Sequence, residues 1–301
     1  NMDDTPVKVM STTYSFRCPE KHAELARQYV PYFKSAEQTG EGIVEIINPE
    51  DVPDLIQQGD IYYCRCNAPL VSITIDIITK YPEKGAKMLG SNLDEEMVKI
   101  IRRCQKINDD FYSIKATLEE YTFRQEEVLR EQGVKRLDKF MGKVRGKAVA
   151  KLKKNNEFYD ESDVDKMVEQ LAEREMTKID RRIDRKMNDL MDTTNCIIAV
   201  IEGLHPHGFT ATIDKIQSLF SDEGGNVTGG SIHRMKGREA ERAFYIEHDY
   251  QPPKKANLSE YDKKEEDRIR YVGVTRSLDT LYLVKRESDE AQQVGDLLAH
   301  A

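Results

Sequence analysis

Val227-Thr-Gly-Gly-Ser-Ile-His-Arg-Met-Lys-Gly-Arg-Glu239 is the stretch that decides how this chain must fold. Residues 227–232 read as a short strand. The polar run after them brings His233, Lys236, Gly237 and Glu239 within seven residues. A strand that empties into such a turn is where open α/β sheets place their ligand-binding groups. Downstream, 243–246 and 281–284 read as further strands, with a helix over 263–275 between them. Upstream, 7–10, 43–47 and 61–64 are apolar runs bounded by Pro, Gly and Asp, and also read as strands. Pro19 followed by His22, Leu25, Tyr29 and Val30 predicts an amphipathic helix with proline in its first turn. Pro69, leading Val71, Ile73, Ile77 and Ile78, predicts another, against the strand bias of its β-branched residues. Alternating strands and helices predict an α/β fold with a mostly parallel sheet covered on both faces.

Between these flanks, residues 91–205 differ. Helical periodicity is long, strand signals are few, and acids nearly balance bases. Residues 163–204 fit one long helix, with Val164, Met167, Val168, Leu171, Met176, Ile179 and Ile183 as a packing stripe. Within 135–154, nine basic residues stand against one acid, Asp138. That run reads either as a solvated helix face or as a DNA-contacting surface. The expected organisation is therefore one discontinuous α/β domain, 1–90 with 206–301, interrupted by an all-helical insertion at 91–205.

The bulk properties bound what such a chain can be. Its 301 residues suffice for one large domain or two ordinary ones. No apolar run approaches the roughly 20 residues needed to span a bilayer, and no leader peptide is visible. Five cysteines, with Cys64 and Cys66 only two apart, argue against a zinc site and for reduced thiols in the cytoplasm. The net charge of −8 gives no global attraction to nucleic acid, so any contact with it must come from local patches.

A second chemistry-bearing segment is Glu265-Glu-Asp-Arg-Ile-Arg-Tyr-Val-Gly-Val-Thr-Arg276, which places Arg276 at a helix–strand junction. An arginine fixed there can present a fork of donors to a phosphate. Two further runs stand near the start: Tyr14-Ser-Phe-Arg-Cys-Pro19 and Arg65-Cys-Asn-Ala-Pro69. In this order, with a helical insertion between, the four segments resemble the later signature motifs of UvrD-like superfamily 1 DNA helicases. Those patterns run Y-R-C-P, R-T-N-A, T-x-H-x-x-K-G-L-E and Y-V-A/G-x-T-R-A. The resemblance covers both α/β blocks well and the insertion loosely.

The resemblance implies a RecA-like three-layer domain, the second of a motor that couples ATP hydrolysis to movement on single-stranded DNA and to duplex unwinding. It implies that Arg17 and Arg276 reach the terminal phosphate, Arg276 as an arginine finger, that Phe16 stacks on adenine, and that Glu239 holds the ribose. Ser231 and His233 match positions that touch the DNA strand, and Arg65 and Asn67 are further DNA-side candidates. Each residue has a plainer reading. Phe16 could be core, His233 a satisfied loop histidine, Glu239 a surface partner of Arg238 or Arg242, and Arg276 half of a structural ion pair. The sequence departs from the pattern at Arg238 for leucine, Ser277 for alanine and Phe16 for tyrosine. The insertion is also shorter than usual.

ATP with Mg²⁺ needs a phosphate-cradling loop, G-x-x-x-x-G-K-[ST]. Gly142-Lys143 is followed by Val144 and Gly146-Lys147 by Ala148, so neither qualifies. The resemblance implies that a preceding RecA-like domain of the same protein carries that loop and most of the nucleotide and metal contacts. The 301 residues alone are then expected to be inactive. A non-catalytic protein- or DNA-binding module and a helicase subunit of a helicase–nuclease complex are the competing readings.

Overall fold

The computed structural model of the chain describes residues 14–89, 92–154, 160–221, 226–246 and 260–285. Two compact units divide it: residues 1–95 with 199–301, and residues 96–198.

The first unit begins with β1 (Tyr14–Ser15), α1 (Glu20–Arg27), β2 (Lys34–Ser35), β3 (Ile43–Ile47), α2 (Val52–Leu55), β4 (Ile61–Cys64), α3 (Ala68–Lys80) and β5 (Ala86–Leu89). The chain then runs through α4 (Leu93–Ile107), α5 (Ile114–Lys154) and α6 (Glu161–Leu204). It finishes with α7 (Phe209–Leu219), β6 (Val227–Ser231), β7 (Ala240–Ile246), α8 (Glu260–Val274) and β8 (Ser277–Val284). The expected strand at 7–10 lies outside the described residues. Six strands form one sheet in the order β3-β8-β7-β4-β6-β5, and every pairing is parallel. β1 and β2 form a separate parallel pair.

Strand alternation sends successive side chains to opposite faces. Ile61 and Tyr63, Ala243 and Tyr245, Leu281 and Leu283 enter one core with Ala23 and Ala26 of α1 and with Ile232 and Met235 of the β6–β7 connection. The Tyr63 hydroxyl donates to the carbonyl of Gly273, in the last turn of α8, at 2.8 Å. That bond anchors the end of α8 over the sheet centre. Tyr62 and Phe244 face the other way. Thr74 Oγ1 of α3 spends its proton on the Leu70 carbonyl at 2.6 Å, so in the 2.7 Å contact between the two hydroxyls Tyr62 is the donor. Phe244 stacks on Tyr282 at 4.5 Å between centroids. Full burial of such side chains contributes roughly 1.5–3 kcal/mol each, which is why the two faces, and not the strands' propensities, fix the sheet.

Gly229 shows how tight this packing is. It lies opposite Tyr62 in the β4–β6 register, and a Cβ there would stand 2.2 Å from the tyrosine ring. Only glycine lets the ring lie flat across β6.

In the second unit α5 and α6 run antiparallel, because their contacts regress as the chain advances. Gly133 meets Ile179 and Ile183, Arg136 pairs with Glu175 at 3.2 Å, and Arg145 with Asp165 at 2.8 Å. Ala148 and Leu152 pack on Val164, with Met167, Val168 and Leu171 against them. The stripe expected along α6 is therefore the helix–helix seam, except at Met176. That residue is rotated off the seam and half exposed. A Cβ at Gly133 would come within 2.8 Å of Ile179, so this glycine permits the close approach of the two helices.

Candidate functional site

The topology sorts the eight candidate residues into two groups at opposite edges of the sheet. β4 and β6 are neighbours, and Cys64 is registered with Ser231 at their carboxyl ends. Arg65 and Asn67 leave one strand there, and Ser231 and His233 leave the other. The Ile232 amide donates to the Cys64 carbonyl at 3.0 Å, which ties the two exits together. The chain then turns tightly, with Arg234 and Met235 amides both donating to the Ser231 carbonyl at 2.8 and 3.0 Å. Ile232 and Met235 are buried, so this connection is pinned to the sheet face as it crosses β4. Gly237, at φ +89°, supplies a left-handed turn that other residues rarely adopt.

The connection ends at Glu239, on the amino-terminal edge. Ala240 opens β7 and is registered with Ser277, which opens β8. Glu239 and Arg276 thus precede paired residues on adjacent strands. Arg17 comes to the same place from the loop after β1, where Ser15 Oγ accepts the Cys18 amide at 3.1 Å and Cys18 is buried below it. Arg17 and Glu239 form an ion pair. Phe16, beside Arg17, is 71% exposed. The core reading of Phe16 fails, and the aromatic face is open to a ligand. Of the plainer partners for Glu239, Arg242 is engaged elsewhere: it donates to the Leu55 carbonyl at 2.6 Å and pairs with Asp60 at 3.4 Å.

Arg276 is 6% exposed, yet its hydrogen bonds go only to its own chain neighbourhood. Nε donates to the Val272 carbonyl at 2.9 Å and Nη2 meets Thr275 Oγ1 at 3.5 Å. Among the described residues no carboxylate lies within ion-pair distance of it. Loss of hydration, then the nearby Arg17 charge, lower its pKa; Tyr63 and Glu239 oppose them. A desolvated guanidinium beside a second arginine is a site that favours an anion. Among the described residues, the structural ion-pair reading of Arg276 finds no partner within 4.0 Å.

At the carboxyl edge Arg65 is not open to solvent alone. Its Nε and Nη2 both reach Glu266 of α8, each at 3.1 Å. His233 is largely exposed, but crowding at its ring lowers its pKa, and the Arg65 charge pushes the same way while Glu266 opposes. Glu266 is the residue that the sequence reading missed. Its only signal in the sequence is the acidic start of the segment that ends in Arg276. Asn67 occupies the position preceding α3 without capping it through its side chain.

Among the described residues no group of three His, Cys, Asp or Glu could hold a metal ion. The amino-edge residues bring together two arginines, one carboxylate and an exposed aromatic ring, a set whose charge favours an anionic ligand. No helix among the described residues is long and apolar enough to cross a membrane.

A parallel six-stranded sheet covered on both faces, with a helical insertion between β5 and β6, is an α/β fold of RecA-like type. The family model of the UvrD-like helicase C-terminal domain matches residues 21–288, and the chain belongs to that family. No curated protein matches the chain.

Proposed function

We propose that the chain is the second motor domain of an ATP-dependent DNA helicase, and that its amino-terminal sheet edge forms one wall of an ATP cleft. The other wall is a companion RecA-like domain bearing the phosphate loop, which none of these 301 residues supplies. Arg276 and Arg17 face the phosphates, Glu239 the ribose and Phe16 the adenine. Ser231, His233, Asn67 and Arg65 face the DNA strand at the opposite edge. Magnesium, held mainly by the companion domain, would neutralise charge on the phosphates.

The observation that carries this reading is Arg276: buried, close to a second arginine, and without a carboxylate partner among the described residues. A folded protein retains such a group at a cost unless an anion arrives to use it. The eight-residue connection from Ile232 to Glu239 supports the coupling, because it joins the two edges directly and its buried Ile232 and Met235 make it move as one piece with the sheet. Closing the cleft on ATP would therefore displace the DNA-side residues, and each hydrolysis would release them.

The test is Arg276→Ala in the full-length protein. Loss of an arginine finger typically costs about 10³–10⁵ in rate, so DNA-stimulated ATPase activity should fall by that order with folding intact by circular dichroism. Near-normal turnover would remove Arg276 from the mechanism. The 301 residues alone should hydrolyse no ATP, and robust hydrolysis by them would overturn the two-wall cleft.

A further inference from the structure

The α5–α6 hairpin of the second unit has two long sides, and one of them combines apolar with acidic residues. Gly133 and Ile179 meet at the seam, and Glu175 is turned in towards Arg136. Val134, Asp180 and Met176 follow these three in sequence, each turned about 100° further round its helix. Right-handed helices turn in one sense along the chain, so on two antiparallel helices the same step from the seam leads to the same side. Charge on this side reaches across the seam: the pKa of Arg130 is raised first by its bond to Glu126, and further by Asp184 and Asp180.

Among the described residues of α5 and α6, six large apolar side chains are exposed, and five of them lie on this side. Phe123, Val134 and Met141 fall within about 20° of one another round α5. Met176 and Met191 fall within about 60° round α6, with the partly buried Met187 between them. Val128 is the exception. Single exposed apolar residues are ordinary on a soluble protein, whereas an aligned set marks a contact surface.

Acids are ordered in the same way. Glu127, Glu131 and Asp138 border the apolar line on α5, Glu169, Glu173 and Asp180 that on α6, and all six are exposed. The pairing of Arg136 with Glu175 and of Arg145 with Asp165 sets Glu131 level with Asp180, Val134 with Met176, and Asp138 with Glu173. Acid thus faces acid above and below an apolar layer. The cations on this side do not offset them: Arg130 is bonded to Glu126 at 2.6 Å, and Arg145 to Glu161 and to Asp165 at 2.8 Å. Lys135 stands 3.9 Å from Glu131, but Asp138, Glu173 and Asp180 have no ion-pair partner among the described residues. Lys139, Lys143 and Lys147 are more than about 100° away, on the far side of α5.

We propose that this side of the hairpin is a docking surface for a basic amphipathic helix of another protein. From Phe123 to Val134 is 11 residues and from Val134 to Met141 is 7, close to three and two whole turns. A helix laid alongside matches that spacing with its own apolar residues, while its flanking lysines or arginines meet the unpaired acids. The unbranched thioethers of Met141, Met176 and Met191 adapt to the shape of incoming side chains. Nucleic acid and anionic bilayers carry the same sign as this surface and are repelled by it. The inference does not rest on the motor reading, and its test does not involve ATP.

The probe is a fluorescein-labelled peptide of about 18 residues, with leucine at every third or fourth position and lysine elsewhere. Two controls carry the same residues in scrambled order, or glutamate in place of lysine. Anisotropy titrations with the 301-residue chain should show the patterned lysine peptide binding at least about tenfold more tightly than either control, with a gain in its helical circular dichroism. The variant Val134→Gln, Met176→Gln should lose about tenfold in affinity, and so should Asp138→Asn, Glu173→Gln, Asp180→Asn. Removing three charges elsewhere, with Glu37→Gln, Glu83→Gln, Asp214→Asn, should leave it within about twofold of the parent. All the substituted side chains are exposed or half-exposed, and thermal midpoints check that each variant folds. The proposal is overturned by no binding of the lysine peptide, by equal binding of either control, by unchanged affinity in the face variants, or by an equal loss in the scattered variant. Self-association of the chain that Val134→Gln, Met176→Gln abolishes would also overturn it, giving the surface to a second copy.

Discussion

Arg65 lays two arms of its guanidinium on Glu266, each at 3.1 Å, and so joins the carboxyl end of β4 to α8, the helix that leads into Arg276. The side chains are 30% and 21% exposed, so the pair is neither fully solvated nor locked in the core. It places a DNA-side candidate in the grip of a carboxylate, which a DNA phosphate would have to replace.

Glu266→Gln should therefore strengthen single-stranded DNA binding by the full-length protein several-fold, because Arg65 exchanges a charged partner for a neutral one. The stability change should stay within about 1 kcal/mol, as for partly exposed pairs. Arg65→Ala in the Glu266→Gln background should remove the gain. Titration of labelled single strands decides it. Weaker binding in Glu266→Gln would mean that the carboxylate positions Arg65 instead of competing for it.

The end of α8 is set by a close fit. A Cβ on Gly273 would lie 2.5 Å from the Tyr245 ring, while the Gly273 carbonyl accepts the Tyr63 hydroxyl. The family pattern admits alanine at this position, but the aromatic pair beneath it here does not, the rings being 5.3 Å apart at their centroids. Gly273→Ala should cost about 1–3 kcal/mol, the usual cost of overpacking a core. It should also lower ATPase activity by shifting Arg276, three residues on. Tyr245→Leu combined with Gly273→Ala should recover part of both losses, and thermal unfolding with turnover in a double-mutant cycle measures the coupling. Strict additivity would deny that the ring is what excludes alanine.

Much of this architecture was legible because its signals are local. The spans of β3 and β4 follow from β-branched and aromatic runs, and α6 follows from its apolar spacing, whereas only the second half of β8, 281–284, was expected, and Ser277 to Thr280 join it through their pairing with β7 and β3. β5 was not legible. Ala86-Lys-Met-Leu89 has no β-branched residue, and it is a strand because Ala86 to Leu89 pair with Val227 to Gly230. The candidate site divides in the same way. Its motif residues could be recognised from type and order, but the pairing of Arg17 with Glu239 and of Arg65 with Glu266 comes from topology, which brings distant loops to one sheet edge. The tightness at Gly229 and Gly273 depends on the rings of Tyr62 and Tyr245, and nothing in the glycines' own neighbourhoods announces them.

The last relationship with a measurable consequence is at His22, fully buried on α1. Its Nε2 lies 3.0 Å from the Ile43 carbonyl, which only accepts, so that nitrogen carries the proton and Nδ1 is left bare. Nδ1 has no partner among the described residues. Burial lowers the ring's pKa below its ordinary 6.5, outweighing the Ile43 and Ser277 carbonyls and the Asp279 carboxylate, all of which favour the charged form. A ring that is harder to protonate in the folded state makes protonation favour the unfolded chain. The contribution of neutral His22 is thus complete above about pH 6.5 and drains away as pH falls below it, by on the order of 1 kcal/mol per unit of depression. The thermal midpoint should fall between pH 7 and pH 5. His22→Gln, which keeps a donor for Ile43 but cannot titrate, should flatten that fall even if it lowers the midpoint at every pH. Identical slopes in the two proteins would place the acid sensitivity in other groups.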